Sequence, residues 1–399
     1  MMKRFLWIVT IALFVTTQFG TINAQDGELV SARIECGPWL QAVDETEFTV
    51  VWATNVKAIA WVEIAPDDGT HFYGIARPKF YESIHGRRPV GTVHTIKVTG
   101  LQKGTAYRYR IFQQALLLDE GNKRMIFGEA YGSDILRQLP FKTTTLDRSK
   151  PECHFSMVND IHGNDSLFRM LTGNTMKSNN DFVIFNGDML TQIESPEQIF
   201  DGYMRSAAEL FSGNVPIFSV RGNHEYRGSA SYDYMKYFPT STGEPYYTFR
   251  QGPAFFIVLD GGEDKPDDYI RYYGLALTDR LREQQALWLE KTVASEEFRS
   301  APVKIAVIHM PPGNDKEWYG RREITRLFMP ILNNAGIDLM LCGHLHRTAY
   351  IEKGKEDNNF PILIHSNTTR ADVSVTASGI KISVADASGK TVQTYQIGK

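Results

Sequence analysis

Phe182-Val183-Ile184-Phe185-Asn186-Gly187-Asp188 runs four apolar residues into a glycine and an aspartate. A short apolar run stopped by glycine has the length of a buried strand, and open α/β sheets hold their ligands on loops just past the carboxyl ends of such strands. Four further polar motifs follow predicted strands in the same way: Asp160-Ile161-His162, Gly222-Asn223-His224-Glu225, His309 and Gly343-His344-Leu345-His346. One Asp-x-His pair recurs by chance, whereas five motifs in order, each after a strand and separated by helix-length spacers, form a single constellation. From Pro151 onward, strands at 182–185, 216–220 and 303–308 alternate with helical patterns at 198–210, 278–295 and 323–334. The layout is α/β.

The rhythm differs on either side of this region. Between Ile34 and Phe112, alternating segments at 48–52, 59–64, 94–98 and 107–111 are separated by Asp, Gly and Pro clusters, the spacing of an antiparallel sandwich. Nothing in it looks catalytic. Residues 116–137 are less regular, and 143–151 read as the linker into the second half. Near the carboxyl end, 361–365, 373–377, 380–385 and 392–397 alternate again with glycine turns, so strands close the chain.

With 399 residues, 42% hydrophobic and 12% aromatic, the chain is long enough for about two domains with a large core. Its 43 Lys plus Arg against 46 Asp plus Glu give a formal charge of -3, so no basic field points to duplex nucleic acid or an anionic membrane surface. Met1 to Arg4 are a basic lead, 5–15 an apolar run, and 16–24 a polar stretch ending in Ala24, the order of a secretory signal. The apolar run is shorter than the roughly 20 residues that span a bilayer, so cleavage near Ala24 and a periplasmic or secreted protein without a stable membrane anchor are expected. Cys36, Cys153 and Cys342 are too few for a disulfide scaffold; Cys153 and Cys342, in apolar runs, read as buried thiols.

The five motifs together resemble the calcineurin-like metallophosphoesterase superfamily, and the added sandwich makes the chain similar to the purple acid phosphatases and their bacterial relatives. Gly37-Pro38-Trp39, 49–52, Tyr246-Tyr247-Thr248-Phe249 leading to 255–260, and Glu283-Gln284 with Trp288-Leu289 support this independently of the metal motifs. Leu101 to Tyr107 resembles the turn-and-tyrosine corner of fibronectin type III domains. The resemblance implies an α+β/α/β chain: a signal peptide at 1–24, a fibronectin type III-like β-sandwich at 25–147, and at 148–399 a metallophosphoesterase β-sandwich flanked by helices. It gives one metal Asp160, His162 and His346, the other Asn223, His309 and His344, and lets Asp188 bridge both. Carboxylate, imidazole and amide ligands suit two divalent ions of Mn, Fe or Zn better than Ca. His162 stands where the purple enzymes carry glycine, and Thr191 where they carry their metal-binding tyrosine. A colourless centre is the consequence.

Such a centre answers the two difficulties of phosphate ester hydrolysis, an anionic substrate and a poor leaving group. Two divalent ions less the charges of Asp160 and Asp188 leave about plus two, which a dianionic monoester neutralises. By the same resemblance His224 contacts phosphate or protonates the leaving oxygen, a task suited to imidazole. Glu225 is expected to orient a histidine, Asp260 to be structural, and His365 to be accessory. Arg221, Arg321, Arg322 and Arg347 are candidate phosphate clamps. The aromatic-rich stretch 226–247 reads as packing or as a cleft wall. An exported phosphomonoesterase acting on a small-molecule, sugar or nucleotide phosphoester is the leading expectation. A phosphodiesterase or nucleotidase with the same metals, and a glycan- or partner-binding protein with a vestigial metal domain, are the alternatives.

Overall fold

The computed structural model describes residues 31–133, 138–174, 179–314 and 318–398. The signal-like segment 1–24 lies outside them. Among the described residues no helix is long and apolar enough to cross a membrane, and the chain from Ser31 onward is one compact unit.

One strand, Glu47–Pro66, organises the amino-terminal half. Its first part pairs with Ile34–Gln41 and Gly91–Thr99, its second part with Ala106–Asp119 and the short Lys79–Phe80. Met125–Gly132 and Phe141–Thr144 complete this seven-stranded, wholly antiparallel assembly against Ala106–Asp119. The two segments expected at 48–52 and 59–64 are therefore one element. No Gly or Pro interrupts 53–58, and the pairing with Gly91–Thr99 shifts register between Ala53 and Ala58 as the second half takes a new neighbour. Phe48, Val50 and Trp52 point into one hydrophobic cluster, while Val51 and Ala53 join Cys36 and Trp39 in another, against the helices of the second half. At the start of Ala106–Asp119 the Tyr107 hydroxyl accepts the Gln102 N–H at 3.0 Å, the bond back to the preceding turn that the sequence suggested.

The second half stacks two six-stranded sheets. In the first, Glu152–Val158, Phe182–Asn186 and Ile217–Val220 run parallel, and Thr369–Thr376, Gly379–Asp386 and Thr391–Gly398 extend the edge antiparallel. In the second, Ala254–Leu259, Val303–Ile308, Leu339–Cys342 and Ile362–Ile364 are parallel, with Tyr247–Gln251 and Ala349–Ile351 antiparallel at the edges. Phe155 and Phe182 of the first sheet meet Phe256 of the second edge to face, at centroid distances of 5.3 and 5.5 Å. Each such buried ring contributes about 2 kcal/mol by removal from water. Asp165–Thr172 and the helical run from Pro196 to Leu210 cover the outside of the first sheet; Thr278–Val293, Tyr319–Leu327 and Met329–Ala335 cover the second. Four layers result.

Three further expectations change. The helix expected over 323–334 is two, Tyr319–Leu327 and Met329–Ala335, because Pro330 has no N–H and its ring would clash with the carbonyl four residues back. The helix over 198–210 contains a wider turn at Phe200–Met204. The supposed linker 143–151 begins inside Phe141–Thr144 and is tied at both ends: Leu146 N–H donates to Asp44 O, and Asp147 accepts at its carbonyl from Gly252 and donates to Gln251 Oε1. The two halves are also joined by Trp39 Nε1 donating to Tyr237 O at 2.7 Å and by Tyr109 donating to Gly213 O at 2.6 Å. All three cysteines are buried thiols; burial pushes Cys36 up to about 12.

Candidate metal centre

Five parallel strands from both sheets end at the same rim. Glu152–Val158 leads to Asp160 and His162, Phe182–Asn186 to Asp188, Ile217–Val220 to Asn223, Val303–Ile308 to His309, and Leu339–Cys342 to His344 and His346. Backbone bonds stitch the loops together: Asp160 N–H to Gly187 O at 2.9 Å, His162 N–H to Asp188 O at 3.1 Å, Gly343 N–H to His309 O at 2.8 Å. Asp160, His162, Asp188, His344 and His346 all adopt φ between 50° and 72°, the left-handed region that costs a non-glycine residue of order 1–3 kcal/mol and gathers at functional sites. The motif glycines follow from the crowding. A Cβ on Gly187 would meet the His309 ring at 2.6 Å, and one on Gly222 would meet Asp188 Oδ1 at 2.2 Å.

The side chains converge in two groups. Asp160, His162 and His346 present ligand atoms within 4.8 Å of one another, and so do Asp188, His309 and His344. Asp188 Oδ2 lies 3.0 Å from His309 Nε2, Asp160 Oδ1 lies 3.1 Å from His346 Nε2, and the His162 and His346 Nε2 atoms are 3.1 Å apart. His309 Nδ1 donates to Asn186 O at 2.6 Å, which fixes the tautomer with its Nε2 lone pair facing the carboxylate. Four of these buried atoms, Asp160 Oδ1, Asn223 Oδ1, His309 Nε2 and His344 Nε2, have no hydrogen-bond partner. Lone pairs facing one another at hydrogen-bond distance, in loops held against their backbone preference, fit cations between them. The donor set therefore fits two divalent ions.

Charge in the metal-free chain says the same. Burial works against the Asp160 and Asp188 carboxyls, yet the charge of His309, joined by hydrogen bonds from His346 and Asn159 to Asp160 and from His309 and the His224 N–H to Asp188, holds both below the usual carboxylate range. Burial would also lower His309, but Asp188 and Asp160 raise it to about 10, so the surrounding carboxylates favour positive charge at this place. His344, buried beside His309, is lowered to about 4.

The surroundings hold the ligands still. Asp160 Oδ2 accepts from Asn159 Nδ2 at 2.6 Å and from His344 N–H at 2.8 Å. Asn159 Oδ1 is in turn 2.7 Å from Nδ1 of the fully buried His365. Glu225 accepts the backbone N–H groups of Asp188, Met189 and Gly222, each at 2.8 Å, so it fixes a loop rather than a histidine as expected. Burial and the Asp188 charge push its carboxyl up to about 7. His224 Nδ1 is 2.7 Å from Thr191 O, a bond in which the ring donates, and its Nε2 lies 3.8 Å from Asp188 Oδ2.

The four arginine candidates fare differently. Arg221 donates to Asp260 Oδ2 at 2.7 Å and to the Tyr226 hydroxyl at 2.6 Å, and Arg321 donates to the Pro311 and Pro312 carbonyls. Both side chains brace the fold, which corrects their reading as phosphate clamps; Asp260 is structural through Arg221. Arg322 lies 5.7 Å over the Tyr319 ring, and the exposed Arg347 shares with Arg321 the wall of a cavity of about 650 Å³. Three residues not singled out from sequence do meet the site: Asn159, Arg227, whose Nη1 is 3.1 Å from His224 Nε2, and Trp318, edge-on to His344 at 5.1 Å. Only Asn159, directly before the first motif, carried a positional signal.

Comparison with known proteins places this geometry. Residues 154–348 match the model of the calcineurin-like phosphoesterase family. Serine/threonine-protein phosphatase CPPED1 of Rattus norvegicus is 22% identical over 156 residues, and that of Mus musculus 22% over 142, covering 37% and 34% of this chain. The matched stretches span 46% and 43% of those relatives' own lengths. In fold the chain is similar to purple acid phosphatase PPD1 from yellow lupin (Lupinus luteus) seeds, with a TM-score of 0.62 and 16% identity, over 90% of this chain and 74% of that one. That likeness spans both halves. The whole rim of metal-ligand candidates, Asp160 to His346, lies within the segment that matches the calcineurin-like phosphoesterase family.

Proposed function

We propose that the chain is an exported phosphomonoesterase dependent on two divalent ions of Mn, Fe or Zn. The observation that carries the reading is the convergence of Asp160, His162 and His346 and of Asp188, His309 and His344, with Asn223 Oδ1 buried and unpartnered on a loop of the same rim. When bound, the ions supply Lewis acidity toward phosphate and lower the pKa of water to near neutrality. Asp188, which the family resemblance makes the shared ligand, would serve both ions; His309 and His344 would donate through Nε2. Asn159, Glu225 and the Asn186 carbonyl keep these donors in place. Water attacks phosphorus as the bond to the leaving oxygen breaks, and His224 Nε2 delivers its proton to that oxygen while Nδ1 stays bonded to Thr191 O. The substrate is a small phosphoester, reached from the rim, with Arg322 and Arg347 as outer contacts. The Tyr107 corner and the all-antiparallel pairing support reading 25–147 as a fibronectin type III-like domain, and 1–24 as its export signal.

Hydrolysis of para-nitrophenyl phosphate and of its bis ester by metal-loaded protein tests the reading. Preference for the monoester is the expected outcome. Preference for the diester replaces it with a phosphodiesterase or nucleotidase, and inertness toward a broad ester panel with glycan binding replaces it with a binding protein.

A further inference from the structure

Arg227 sits where no motif placed it. Its Nε and Nη2 form a bidentate pair with Glu263 at 3.0 and 2.9 Å, and Nη2 also reaches Asp264 Oδ1 at 3.1 Å. Both acids are anchored: Glu263 is 2% exposed and its carbonyl accepts from the buried Arg282, while the Asp264 carbonyl accepts the Gly320 N–H at 3.1 Å. This clamp fixes the guanidinium and leaves Nη1 as the nitrogen with no carboxylate among the described residues. Nη1 lies 3.3 Å from His224 Nδ1 and 3.1 Å from His224 Nε2. An atom so nearly equidistant from both ring nitrogens cannot lie in the ring plane, where it would collide with Cε1–H, so the guanidinium covers the imidazole face. His224 Nε2, beside which Nη1 lies, is itself 3.8 Å from Asp188 Oδ2. The Arg227 side chain is 30% exposed, so an incoming anion can reach it.

From this we infer that Arg227 is a substrate-binding residue: Nη1 takes a phosphoester oxygen at the position His224 Nε2 serves. The inference rests on the phosphoesterase reading above. A planar, permanently charged fork held by two carboxylates is pre-organised for phosphate, and a hydrogen bond between it and phosphate is charge-assisted. The clamp also explains why an arginine can remain open beside the centre: Glu263 and Asp264 hold one edge, and the other is left to the ligand.

The test is inorganic phosphate binding by calorimetry on the metal-loaded full chain, beside metal content, melting temperature and hydrolysis, for wild type, Arg227→Met and Arg227→Lys. In Arg227→Met phosphate affinity should fall about ten- to a hundredfold, with metal content and melting temperature held, and Arg227→Lys should be intermediate because a point charge does not reproduce the fork. If Arg227 only braced the loop, Arg227→Met would melt lower while its metal-loaded fraction bound phosphate as wild type does, and the inference would be overturned. Should Arg227→Met fail to fold or load, Arg227→Lys decides: weakened phosphate supports the contact, and wild-type affinity overturns it. Wild-type protein that carries its metals yet neither binds phosphate nor hydrolyses any ester overturns the phosphoesterase reading itself; wild-type activity with an unchanged Arg227→Met overturns this inference alone.

Discussion

His94 and His309 are both buried, at 2% and 1% exposure, and the two halves of the molecule hold them in opposite states. In the amino-terminal antiparallel sheet His94 lies in a regular strand, 2.9 Å from the Thr54 hydroxyl and tilted against Trp52, and burial alone lowers it to about 4. At the rim His309 faces two carboxylates and is raised to about 10. Unsatisfied atoms do not by themselves separate the regions, since Trp52 Nε1 and Gln41 Nε2 in the amino-terminal sheet also lack partners. Convergence does. Those sheet atoms are lone donors, whereas Asp160, Asn223, His309 and His344 present unpartnered ligand atoms on loops at one rim, Asp160 and His344 in the left-handed region. One half buries an imidazole as core; the other surrounds an imidazole with carboxylates, an arrangement suited to receiving a cation.

The strongest way to break this contrast is Asp188→Asn, which removes the carboxylate of the second ligand group, 3.0 Å from His309 Nε2. Metal content should drop below the wild-type ratio and hydrolysis by about a thousandfold or more; full activity would contradict the assignment. Next comes His224→Ala, whose ring lies outside both ligand groups. Metal content should stay at the wild-type ratio while kcat falls about a hundredfold, and a variant that loses metal would move His224 into the ligand set.

The smallest effect belongs to the sandwich. The His94 pKa is about 4 in the folded chain against about 6.5 unfolded. The unfolded chain therefore binds more protons between these values. Stability is complete above pH 6.5 and declines as pH falls toward 4, by at most about 3 kcal/mol. Chemical denaturation of metal-free protein across that window should show a shallower decline in His94→Gln; an unchanged decline would place the acid sensitivity elsewhere.

Much of this was legible before any coordinates, for different reasons in the two halves. The metal motifs are short, polar and fixed in spacing, and parallel strands deliver their ends to one rim, so Asp160, Asp188, His309 and His344 could be grouped from order alone. What holds them could not. Glu263 meets Arg227 across 36 residues and His365 meets Asn159 across 206, partnerships that leave no periodic trace. Arg221 and Arg321 were chosen for closeness along the chain, but their side chains turn to Asp260 and to the Pro311 and Pro312 carbonyls. In the sandwich, alternation located the strands, yet the join of 48–52 to 59–64 was hidden because a strand that changes partner keeps its extended backbone. The break at Phe328 had a readable cause in Pro330, overridden by the apolar spacing on either side.

The most direct test of the central claim is the metal-to-protein ratio of wild-type chain purified without chelators and reconstituted with Mn, Fe or Zn, measured by inductively coupled plasma mass spectrometry. Two ions per chain is the predicted result. A ratio that stays near zero after reconstitution would contradict the account.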